Sequence, residues 1–277
     1  MLFADFCHAE PELDEGVAAG REVAAVDGEA LPWGPVVAFA DDALAIGVAA
    51  VDRAAALLGA RPAGPVDLFV YADRDDFYDA LGPGTRENVG GQAIAGSGTM
   101  YALITPSEIG SSWVTTVVAH ELTHLVVGAV ASGPWADVPR WLNEGIAVWL
   151  SVGSTDEDRR QVARAVADRS LIPLEGLSGY FPAIPAAFGL AYAESASAVG
   201  FIAERWGEPA IGALLRGYAV GQDDDAAFRA ALGVDFAAFQ AEWLGSLDAP
   251  APSPYGPRPG PPGPVPDRKS TRLNSSH

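Results

Sequence analysis

Cysteine is nearly missing from this chain: Cys7 is the only one in 277 residues. A single thiol excludes an intrachain disulfide framework and any centre built on several thiolates, so a metal here would rest on histidine and carboxylate ligands. Positive charge is also scarce, with 17 Lys and Arg against 36 Asp and Glu and a net charge of −19. Such a surface repels phosphate backbones and anionic lipid, and no basic stripe overrides it, so nucleic acid is excluded as a partner. No run approaches the roughly 18 unbroken apolar residues of a spanning helix, and no membrane segment is expected in this fragment. The start, MLFADFCHAEPELDE, lacks the basic lead and long apolar stretch of a signal peptide. Taken alone, that points to the cytoplasm.

What is present suffices for a real core: 49% of the residues are hydrophobic and 19% charged, a globular balance. Residues 1–35 read as an N-terminal segment that begins inside a longer gene. Residues 36–58 are alanine-rich with apolar positions three and four apart, which predicts a helix. VDLFVYA (66–72) predicts a strand, followed by a short helix containing Phe77, Tyr78 and Leu81. Two further strands are expected in GGQAIAG and TMYALIT, separated by Gly96 to Gly98. Ser111 or Ser112 is the expected N-cap of a helix from Trp113 to about Val130, and a second helix follows Pro139.

From Asp156 onward five helical segments follow one another. Strands first and helices after them predict an α+β fold, with a small mixed sheet and a helical C-terminal part. The expected division is 36–150 as a subdomain with the sheet and the histidine helix, 151–248 as a helical subdomain, and 249–266 as a Pro-rich linker. The last eleven residues, DRKSTRLNSSH (267–277), match the translation of a common sequencing-adapter DNA. They are read as foreign to the fold, and a membrane anchor or further domain is expected to have been lost beyond the linker.

Two of the four histidines lie in VVAHELTHLVVG. His120 and His124 are four residues apart, so on a helix both imidazoles leave one face and can reach one metal. Glu121, beside the first ligand, is placed to take a proton from water at an open metal position; this is the H-E-x-x-H arrangement of a zinc site. As a plain core helix the segment would bury three polar groups, each costing about 1 to 3 kcal/mol without a partner. Tetrahedral zinc needs a third protein ligand, and Asp137 and Glu144 are the first carboxylates after His124. Glu144 is the better placed, on a helix with Trp141, Leu142, Ile146 and Trp149 around it, where an unpaired carboxylate is costly. Asp137 lies in the loop SGPWADVPR, where a surface or capping role is enough. Cys7 and His8 are given no role.

HELTH followed by NEG resembles the gluzincin metallopeptidases, and VPRWLNEGIAVWL is similar to the WLNEG helix of the membrane aminopeptidases. The wider chain, from PVDLFVYADRDDFYDALG through AYAESASAVGFIAERWG to FAAFQAEWL, resembles the small bacterial peptidase MA-like proteins. The resemblance implies a zincin-like fold, one zinc on His120, His124 and Glu144, Glu121 as general base and then acid, and a peptide or protein substrate. It implies for Asn143 a place behind the ligands or against substrate, the alternative being a polar residue at a helix start. It makes Tyr192 the candidate hydroxyl donor to the developing oxyanion, with Tyr180 and Tyr101 as competitors. It also implies export or attachment at the cell surface.

Two departures from those relatives bear on the reaction. GGQAIAGSGTMYALITP has no glutamate of the kind that holds a substrate's free amino group in the aminopeptidases, so an endopeptidase is expected. The aspartate found four residues past the ligand glutamate in the thermolysin type is Val148 here, so the histidines need other partners. An extended substrate is expected to pair with an edge strand, GTMYALIT. The rival readings are a catalytically weak, zinc-stabilised surface or binding module, and a zinc hydrolase of another amide-type bond.

Overall fold

The computed structural model describes residues 2–5, 33–82, 89–94 and 96–248. The proline-rich run, the terminal eleven residues, Cys7 and His8 lie outside them. The elements in chain order are β1 (Leu2–Asp5), α1 (Trp33–Leu58), β2 (Asp67–Tyr71), α2 (Arg74–Leu81), β3 (Gly91–Ile94) and β4 (Thr99–Leu103). Seven helices follow: α3 (Ser112–Val130), α4 (Arg140–Ser151), α5 (Asp156–Asp168), α6 (Pro185–Trp206), α7 (Pro209–Ala219), α8 (Asp224–Leu232) and α9 (Phe236–Ser246). The fold is α+β and zincin-like, a small mixed sheet on a largely helical body.

The sheet order is β1-β2-β4-β3, with β2 and β4 parallel and the outer pairs antiparallel. This corrects one expectation: TMYALIT is not an edge, because β4 lies between β2 and β3, and the edges among the described strands are β1 and β3. Alternation along β2 and β4 turns Leu68, Val70, Met100 and Ala102 into the core. On the opposite face Phe69 stacks on Tyr101 with ring centres 5.4 Å apart, and Tyr71 meets Phe77 of α2. Asp73 caps α2, accepting from the N–H groups of Asp75 and Asp76.

Helix α1 buries Ala40, Ala43, Val51, Ala54 and Leu58 along one stripe and packs against α3. Helix α3 buries residues all around, from Val114 to Val127, and thus lies in the centre of the molecule. By length and composition α3 and α6 could each span a bilayer, but both are packed in the core, and α3 buries Glu121 and Thr123 there. One hydrophobic cluster runs from Phe39 to Leu244. Within it Trp141 of α4 sits among Phe228, Phe236 and Phe239 with ring centres 6.1 to 6.4 Å away, so α8 and α9 anchor α4.

Candidate metal centre and active-site cleft

Ser111 occupies the N-cap position of α3, but its hydroxyl makes no capping bond. The helix is held instead by its apolar surroundings, and that same packing fixes the two imidazoles. His120 Nε2 and His124 Nε2 lie 3.1 Å apart. Glu144 Oε2, from α4, lies 3.4 Å from each. These three are the group of possible metal ligands among the described residues. A tetrahedral ion with bonds of about 2.0 to 2.1 Å sets neighbouring ligand atoms about 3.3 Å apart, so the triangle has the right size for zinc, and its two imidazoles and one carboxylate are the right donors.

Helix α4 is pressed tightly onto α6 to achieve this. A Cβ added at Gly145 would lie 2.5 Å from the carbonyl oxygen of Ser195 and 2.9 Å from Val199 Cγ2, so only glycine permits the approach. The neighbour Glu144 is thereby set against α3, and Tyr192 of α6 is brought to the same cleft.

Behind the ligands, Asn143 Oδ1 lies 2.9 Å from His124 Nδ1. An amide oxygen accepts, so this bond requires a proton on Nδ1 and makes Nε2 the nitrogen that can bind a metal once its own proton is displaced. Arg140, one turn before Glu144, forms an ion pair with Glu144 Oε1 at 3.1 Å. Its guanidinium also lies over the Phe181 ring at 4.9 Å. Burial works against charge on the ligands, but their mutual attraction wins. The Glu144 carboxyl is held well below the usual range by the two imidazoles, and His124 is pushed up to about 9 by the carboxylate beside it.

Glu121 is buried beside this triangle. Burial lifts its carboxyl above the usual range, while the two imidazoles and an N–H bond from Ala93 of β3 act the other way. Gly91 lets the edge strand come this close, since a Cβ there would lie 2.7 Å from Glu121 Oε1. Tyr192 packs on His120 at 6.3 Å between ring centres and is walled by Phe181 and Phe188. Burial, reinforced by Glu144, raises its phenol and keeps it protonated. Tyr180 is 79% exposed, and Tyr101 stacks on the far sheet face; neither lines the cleft.

These side chains line a cleft of about 730 Å³ whose only carboxylates among the described residues are Glu121 and Glu144. His120, His124, Glu144, Glu121, Asn143 and Tyr192 are therefore brought together, whereas Asp137 opens onto a different cavity. Arg140 is the residue that sequence reasoning missed. Its signal was the spacing of four to Glu144 on one helix, which places guanidinium and carboxylate together.

The model of the Peptidase MA superfamily matches residues 46–249, and the chain belongs to that superfamily. No curated protein and no solved structure matches the chain significantly. Membership makes the protein a peptidase of a typically metal-dependent class, and the histidine and glutamate triangle is where a metal can bind.

Proposed function

We propose that the protein is a zinc-dependent endopeptidase that holds one zinc on His120, His124 and Glu144. The observation that carries this reading is the convergence of three ligand atoms at 3.1 to 3.4 Å with the Glu121 carboxyl beside them. A zinc ion held there supplies Lewis acidity, which acidifies water and polarises a carbonyl oxygen. Glu121 takes the proton of the attacking water and returns it to the leaving amine, a role suited to a carboxylate whose burial makes it a stronger base. Tyr192, kept protonated, donates its O–H toward the carbonyl oxygen as that oxygen gains charge. Asn143 keeps His124 in the metal-binding tautomer, and Arg140 holds the outer oxygen of Glu144.

An extended peptide fits alongside β3, whose residues Gly91, Gln92 and Ala93 line the cleft. Among the described residues the cleft offers no further carboxylate for a free amino terminus, which favours cleavage within a chain over removal of terminal residues. The test is Glu121→Gln. The variant should keep its zinc and lose hydrolysis of a denatured protein substrate by at least a hundredfold; undiminished hydrolysis would show that another group moves the proton.

A further inference from the structure

Beyond His124 the cleft continues toward the C-terminal end of α3. His120, His124, Val127, Gly128 and Ala131 all line it, as their spacing on one helical face requires. The face that presents the imidazoles thus runs on as three small or medium apolar residues.

The opposite wall is the connection from α3 to α4. Ala136, Val138 and Arg140 line the metal cleft, whereas Trp135, Asp137 and Pro139 line a separate cavity of about 610 Å³. That alternation has the period of extended chain. The wall is seated from behind by α7: a Cβ on Gly133 would lie 1.9 Å from the Ala219 carbonyl oxygen, and one on Gly221 would lie 3.0 Å from Trp135 Cβ. Its distance from α3 is therefore set by backbone contact.

Val127, Gly128 and Ala131 on one side and Ala136 and Val138 on the other carry no ionisable group. Among the described residues the cation of the cleft is Arg140, and it is already paired with Glu144. A charged substrate side chain placed between these walls would lose its hydration without a counter-charge, whereas an apolar one gains by leaving water.

Resting on the peptidase reading above, we infer that these five residues form the subsite for an apolar substrate side chain next to the scissile bond. Gly128 adds no side chain to this wall. The enzyme thus cuts beside a medium or large apolar residue.

The experiment is cleavage mapping on a mixed peptide library with the zinc-loaded full chain, in wild type, Gly128→Leu, Ala136→Glu and Asp137→Asn. Wild type should select Leu, Met or Phe on one side of the cut. Gly128→Leu should lower kcat/KM for those residues at least tenfold relative to Ala. Ala136→Glu should move the selection toward Lys and Arg, and Asp137→Asn, on the far face of the wall, should leave the profile as in wild type. Thermal unfolding and zinc content of each variant separate a lost fold from a changed subsite, and the two filling variants act at different walls. Cleavage without selection, or a profile unaltered in both Gly128→Leu and Ala136→Glu, overturns this inference alone. No cleavage by zinc-loaded wild type overturns the peptidase reading and this inference with it.

Discussion

At the scale of single residues, the centre depends on groups that do not touch the metal position. Asn143 is the clearest, because its amide oxygen selects the tautomer of His124. Asn143→Ala removes that choice while leaving all three ligand atoms, and zinc affinity should fall about 10- to 100-fold, measured by competition with a chelator. Unchanged affinity would mean that packing alone orients the ring. A second residue, Glu194, is wholly buried in α6, and both carboxyl oxygens lie within 3.2 Å of the Ile172 N–H. Burial pushes its carboxyl up to about 8 from the ordinary 4.5. The folded chain therefore keeps a proton that the unfolded chain releases. The stability this contributes is full below about pH 4.5 and is lost as pH rises through about 8. Glu194→Gln keeps an oxygen to accept from Ile172 and cannot ionise, so its urea midpoint should vary less between about pH 5 and 8 than that of wild type. Equal pH dependence in both proteins would place the Glu194 carboxyl near its ordinary range.

At the scale of elements, the centre is a matter of how closely three helices approach. Helix α3 supplies the imidazoles, α4 the carboxylate and α6 the tyrosine, and Gly145 is the point where α4 meets α6. Gly145→Val should destabilise the fold by about 1 to 3 kcal/mol through overpacking and weaken zinc binding, read by thermal unfolding with and without zinc. A variant with wild-type unfolding would show that the two helices separate freely. Trp141, Phe228, Phe236 and Phe239 hold the other side of α4, which explains why a helical region that carries no ligand is needed to place Glu144.

Helices were the legible part of the sequence. The stripes of α1 and α4 and the capped starts of α5, α8 and α9 are local signals of period and polarity. The sheet was legible as strands and not as an order. Nothing in TMYALIT says that β2 and β3 will flank it, because pairing of β2 with β4 joins residues 32 positions apart, as Asp67 with Thr99. Likewise β1 is four residues long and pairs with β2 across the whole of α1, too short for any periodic signal. In the site, His120, Glu121, His124 and Glu144 stood out because charged groups in apolar helices need a reason. Arg140 carried no such reason by itself, since its pairing with Glu144 matters only once Glu144 is known to face the two imidazoles.

At the scale of the whole molecule, a strongly acidic chain encloses one site that concentrates two imidazoles against a carboxylate. A metal bound only by the folded form also stabilises it, by about 4 kcal/mol when free metal is a thousandfold above Kd. The central claim is that His120, His124 and Glu144 together hold one zinc, and the most direct test is elemental analysis of purified wild type and Glu144→Ala. The account predicts close to one zinc per chain in wild type and little in the variant. Full zinc in Glu144→Ala, or none in wild type, would contradict it.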